Sequence, residues 1–218
     1  MLRPTRKTLR LHPSNHVTPR AQRPELALSN RARGKRARGQ QNERLPFAPP
    51  EQWHEPSEES HPYRVVYCQA GKGFRHVVTI DEVRNRLAKL PAHFLRPLQV
   101  VHFAQMTRKK RSAPCYGMQW GSAIYLYPIE ADLVEHYTRP PLPSQLIEAK
   151  MYGGEWVQES GRNWKLVWTD EAIKDFYLNN ILIHELGHLL DERNNRTIDR
   201  ERYAEWFAIE YGYRASRA

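Results

Sequence analysis

The chain has 218 residues, a formal net charge of +10, only two cysteines and a mean hydropathy of −0.77. Two cysteines exclude both a disulfide framework and a four-cysteine metal cluster. No run of about 18 apolar residues is present, and no apolar h-region lies at the N-terminus, so a membrane span and a standard secretory signal are not expected and a cytoplasmic location is.

The charge is confined to one end. Residues 1–44 hold twelve Lys and Arg against Glu25 and Glu43, and the remaining residues sum to zero. Pro4, Pro13, Pro19 and Pro24 punctuate this tail, large apolar residues are few, and Arg31, Arg33, Lys35, Arg36 and Arg38 form a basic run. Such a segment cannot build a core and is expected to be disordered. Its charge suits nucleic acid or another polyanion, by counterion release, or simply solubility. An Arg-rich organelle transit peptide is less well matched, because the prolines oppose an amphipathic helix. A second polar stretch, 49–62, carries Glu51, Glu55, Glu58 and Glu59 and reads as a linker. The organisation is therefore a basic tail and linker over 1–62 and one domain over 63–218.

Within that domain the first strand is expected at 63–68. Thr79 and Glu82 form a possible capping box for a helix through Val83, Leu87 and Leu90, with Pro91 as its stop. A strand at 98–105 follows, then Arg108, Lys109, Lys110 and Arg111 as a solvated loop. The next elements are a strand at 122–127, a helix over 129–137 and a strand at 165–169. Thr169 is a candidate N-cap, with Asp170 and Glu171 in the first turn of a helix over 170–193. Asn194 to Arg196 form a turn, and Thr197 is placed to cap a last helix over 198–211. The order gives an α+β fold, a small mixed sheet packed on the long helix. Cys68 and Cys115 are expected as small buried apolar groups. His76, His93, His102 and His136 stand alone in the sequence; one of them, or a tyrosine, is available to stabilise an oxyanion, and nothing selects which.

One run carries most of the chemistry, His184-Glu185-Leu186-Gly187-His188. Imidazoles spaced i, i+4 share a helix face about one turn apart and can hold one ion together, while Glu185 points roughly 100° around the axis. Zinc takes such a pair plus a third protein ligand and leaves its fourth position to water, whose pKa it lowers to about 7. Glu185 is then the general base that takes the water's proton as it attacks a polarised carbonyl. Ile173, Phe176, Leu178, Ile181, Leu182, Leu186 and Leu190 spread over most of the helix circumference, which implies burial. Gly187 points to close approach of another backbone or of substrate, unless it is merely tolerated.

No histidine or cysteine follows His188, so a third ligand from this side is a carboxylate. Asp191, on the same helix, is placed more naturally as a capping or solvated side chain. An antiparallel return helix regains the level of His188 near Tyr203, which puts Glu201 and Glu205 each within about 3 Å of the metal's height. Distance along the axis does not choose between them.

Glu201, Ala204 and Glu205 follow the pattern E-x-x-A-[DN] with Glu in the last position, and together with His184, Glu185 and His188 the segment 169–212 resembles the gluzincin-type zinc metallopeptidases. A metzincin pattern fits worse, because Asp191 and Asn194 stand where its glycine and third histidine belong. The resemblance implies a zincin-like fold, one zinc per chain held by His184, His188 and Glu201, catalysis by Glu185, and a peptide or protein substrate. It leaves Glu205 to orient a zinc histidine, or to exchange roles with Glu201. It also implies an edge strand that pairs with extended substrate, for which 121–127 is the candidate, the alternative being an ordinary half-buried strand. The contrasting possibility is a non-catalytic zinc-containing interaction protein whose basic arm binds nucleic acid.

Overall fold

The computed structural model describes residues 49–56, 63–112 and 115–218. The tail expected over 1–44 and the linker residues 57–62 lie outside these residues. The elements in chain order are β1 (Arg64–Tyr67), β2 (Phe74–Arg75), α1 (Ile80–Ala88), β3 (Val100–Phe103), α2 (Arg108–Ser112), β4 (Gly117–Trp120), β5 (Ala123–Leu126), β6 (Ile129–Glu130), β7 (Val134–Tyr137), α3 (Pro143–Met151), β8 (Glu155–Gln158), β9 (Trp164–Val167), α4 (Asp170–Phe176), α5 (Leu182–Leu190) and α6 (Thr197–Ala208). The architecture is mixed α+β, with small sheets and several helices.

The main sheet has the order β1-β3-β5-β4. The first three strands run parallel, and β4 runs antiparallel to β5 along one edge. Gly121 opens the tight turn between β4 and β5 at φ 58°, a left-handed conformation that costs glycine nothing. Strand periodicity divides the side chains between two faces. Val101, Phe103, Ile124 and Leu126 enter the principal core with Val83 and Leu87 of α1 and with Ile181, Leu182 and Leu186. Val100, Met118, Ala123, Tyr125 and Tyr127 form a second cluster on the opposite face. Part of the expected linker reaches the domain there: Thr107 Oγ1 donates to Glu51 at 2.5 Å and Lys109 Nζ to the Pro49 carbonyl at 2.8 Å.

The capping box at α1 forms as expected, with Thr79 N donating to Glu82 Oε2 at 2.8 Å and Glu82 N to Thr79 Oγ1 at 3.2 Å. Thr169 caps α4 by accepting from Ala172 N at 3.1 Å. From Asp170 the helix continues into α5 through a π-helical stretch, Tyr177–Ile181. It ends at Leu190 and not at Arg193, because Asp191 leaves the helical region at ψ 89° and accepts from the backbone N–H of Arg193 and Asn194. Arg196, not Thr197, occupies the N-cap of α6.

Two further expectations are corrected. Residues 129–137 are not helical; they form β6 and β7, separated by a turn in which Leu133 sits at φ 60° and Asp132 Oδ1 accepts from Val134 N at 3.2 Å. The alternation in β7 is hidden because its inward residue is charged: Glu135 is buried and accepts from Tyr116 and Tyr137 hydroxyls and from Trp168 Nε1 at 2.8–3.1 Å. The basic run at 108–111 is not a loop but the helix α2, and Lys110 is buried with its ammonium 4.2 Å from the Tyr127 ring centroid. That cation–π contact and the apolar stem explain how a lysine is accommodated inside.

Candidate metal centre

α5 brings His184, Glu185 and His188 under the sheet, and α6 returns antiparallel beside it. The two helices approach closely at Gly187, where an added Cβ would lie 2.9 Å from the Ala204 Cα and 3.1 Å from the Phe207 Cβ. Close backbone approach is thus the reason for the glycine. Gly187→Ala is expected to destabilise the fold: overpacking against backbone costs about 1–3 kcal/mol, more than the roughly 1 kcal/mol that alanine gains in helix propensity. Thermal or denaturant unfolding checks this, and an unchanged midpoint would mean that α6 can retreat at no cost.

The corner between the helices is held by groups that the sequence pattern does not flag. Arg200 donates to the His188 carbonyl at 3.0 Å and to the Asp191 carbonyl at 3.2 Å, capping the C-terminus of α5 from the first turn of α6. Asp191 also accepts from Asn194 Nδ2 at 2.9 Å. Its carboxylate is a turn-former rather than a member of the ligand group.

Three ligand atoms converge. His184 Nε2 and His188 Nε2 are 3.0 Å apart, and each lies 3.5 Å from one oxygen of Glu201. Donors about 2.0–2.1 Å from a tetrahedral ion stand roughly 3.3 Å from one another, so the spacing fits a single bound cation. All three residues are buried, and they are the group among the described residues that can hold a metal ion. Glu205, one turn further along α6, is half-buried and lies outside this group.

The electrostatics favour a cation at this point. Burial alone would raise the Glu201 carboxyl, but the bonds from His184 and His188 override it and hold it far below the ordinary carboxylate range. Burial likewise opposes charge on His188, yet the bond to Glu201 outweighs it and raises the ring. Glu185 differs from Glu201: burial pushes it up to about 7, against the pull of His188, the Gln119 backbone N–H and Lys110.

Glu185 is 2 % exposed, and its Oε1 has no hydrogen-bond partner among the described residues. A buried carboxylate oxygen left unpaired is costly, which argues for a partner beyond the described residues, such as a water or a bound group. The edge strand makes room for it. A Cβ at Gly117 would meet Ile181 Cγ2 at 2.7 Å and Glu185 Cγ at 2.9 Å, so β4 passes directly over the carboxylate. Glycine inside a strand is the one sequence signal that could have located this approach.

The strand expected to lie at the edge, 121–127, does not. Its core, β5, is paired with β3 on one side and β4 on the other, so its backbone groups are used within the sheet. The outer edge beside α5 belongs to β4. Of the isolated histidines, His76, His93, His102 and His136 all lie outside the ligand group. The chain matches no protein-family model, no curated protein and no solved structure.

Among the described residues, no helix is long and apolar enough to cross a membrane.

Proposed function

We propose that the chain is a zinc-dependent metallopeptidase with a zincin-like fold. The observation that carries the reading is the unpaired, buried Glu185 Oε1 beside three converging ligand atoms. A purely structural zinc site normally closes all four positions with protein ligands and has no use for an extra buried carboxylate. That weighs against the non-catalytic alternative.

His184, His188 and Glu201 would hold the ion, and two imidazoles with one carboxylate suit zinc. Bound zinc would supply a Lewis acid that polarises a carbonyl and acidifies water to a pKa of about 7. Glu185 takes the proton of the attacking water and passes it to the departing amine. Glu205 orients a ligand histidine by accepting its other ring N–H, as the resemblance of 169–212 implies. Among the described residues no strand pairs with the outer edge of β4, and apart from the Gln119 N–H taken by Glu185 its backbone groups suit an extended peptide, which favours a peptide or protein substrate.

The test is metal analysis of the purified full chain together with hydrolysis of an unfolded protein substrate. About one zinc per chain is expected, with activity lost on chelation and restored by zinc. Absence of zinc after exposure to it would reject the assignment. A zinc with four protein ligands by X-ray absorption, and no hydrolysis, would support the structural alternative.

A further inference from the structure

On the opposite face of the sheet from the metal ligands, a second set of reactive side chains comes together from three segments. Cys68 follows β1, His102 lies on β3, and His54 belongs to the 49–56 segment. Cys68 Sγ is 3.4 Å from His102 Nε2, His102 Nδ1 is 3.0 Å from His54 Nε2, and His54 Nδ1 is 3.3 Å from Arg64 Nη2. The rings pack on Tyr125, at centroid distances of 5.1 Å for His102 and 6.0 Å for His54. His76 Nε2 donates to the Cys68 carbonyl at 2.9 Å and holds that residue's backbone.

The direction of the chain of bonds follows from its outer end. A guanidinium can only donate, so His54 Nδ1 accepts from Arg64. His54 then carries its proton on Nε2 and donates to His102 Nδ1, which leaves the His102 proton on Nε2, aimed at the sulfur. This ordering requires neutral rings. Burial, with lesser contributions from His54 and His76, holds His102 down at about 4, and burial with Arg64 lowers His54. Gln52 Oε1, 3.6 Å from Sγ, is the acceptor for the thiol proton. The sulfur thus has an acceptor for its protonated form and a fixed N–H donor for its anionic form, and Cys68 as a residue is half-buried.

From this geometry we propose that Cys68 is a modification site for hydroperoxides, its thiolate addressed by His102 and the ordering supplied by His54 and Arg64. The sulfur attacks one peroxide oxygen and the O–O bond breaks. Cys68 becomes a sulfenic acid, and the departing hydroxide, or alkoxide from an organic hydroperoxide, combines with the proton that the thiol released, so thiol and hydroperoxide yield sulfenic acid and water or an alcohol. A shared metal ion is the competing use of Cys and His, but only Sγ and Nε2 converge, because His102 turns its other nitrogen to His54. The inference is independent of the function proposed for the metal centre.

The experiment exposes the full-length protein to hydrogen peroxide, traps sulfenate with dimedone and maps the label by peptide mass. Cys115, buried beside Lys110, is the internal reference. Exposure alone would favour Cys68 over Cys115, so the deciding comparison is with variants that break the chain of bonds. His54→Phe keeps the ring on Tyr125 and removes the donor; Arg64→Met removes the terminal donor at an exposed position where folding is not at stake. Each is expected to slow labelling of Cys68 by about tenfold, the worth of one hydrogen bond. Equal Cys68 rates in wild type and both variants overturn the proposal. Labelling that begins only after chelator treatment overturns it as well, by assigning Cys68 and His102 to a metal.

Discussion

Glu185→Gln is expected to leave the metal in place and to reduce hydrolysis by about 10²–10⁴-fold, the usual contribution of a positioned general base. The amide matches the carboxylate in size, which matters because Ile181 and Gly117 close around this side chain. The proposed ligands are elsewhere: His184, His188 and Glu201 form the converging group, and Glu185 is not part of it. The variant therefore removes the proton acceptor without removing a ligand. Zinc content and kcat/KM measured on the same preparation separate the roles. If the metal is lost along with activity, Glu185 is a ligand; if kcat/KM is unchanged, another group accepts the proton.

The second large effect distinguishes the two glutamates of α6. Glu201→Ala should abolish most of the metal affinity, because it removes one of three converging ligands and leaves His184 Nε2 and His188 Nε2 only 3.0 Å apart with no carboxylate between them. Glu205→Ala should cost no more than about 10–100-fold, the range for a residue that orients a ligand without touching the ion. Dissociation constants for zinc, measured in competition with a chromophoric chelator, check both. A larger loss for Glu205→Ala would exchange the roles, and small losses in both would remove the carboxylate from the ligand set.

The local elements were legible where a short-range rule governs them. The Thr79–Glu82 capping box and the Thr169 cap are each complete within four residues, and both form as the pattern requires. Elements governed by distant partners were not. Residues 129–137 look helical because Glu135 breaks the strand alternation, and Glu135 is accommodated only by Tyr116, Tyr137 and Trp168. α3, with Pro143 at its start and exposed Leu146 and Ile147, and the strand β8 passed unrecognised in a segment with little amphipathic contrast.

The candidate site divides in the same way. The i, i+4 spacing of His184 and His188 is a property of the helix itself, so sequence alone placed two candidate ligand nitrogens on one face, with Glu185 about 100° around the axis. The choice of Glu201 over Glu205 depends on the rotation of α6 about its own axis, which the Gly187 contact and the Arg200 cap set through space. Which strand lies over Glu185 is a matter of strand order in the sheet. β4 and β5 are adjacent in sequence, and the pairing of β5 with β3 leaves β4 at the edge. Likewise, nothing in the spacing of His54, Cys68 and His102 announces a cluster. Helix periodicity and caps are written in neighbouring residues, whereas sheet order, helix rotation and the meeting of distant side chains are decided by packing between segments far apart in the chain.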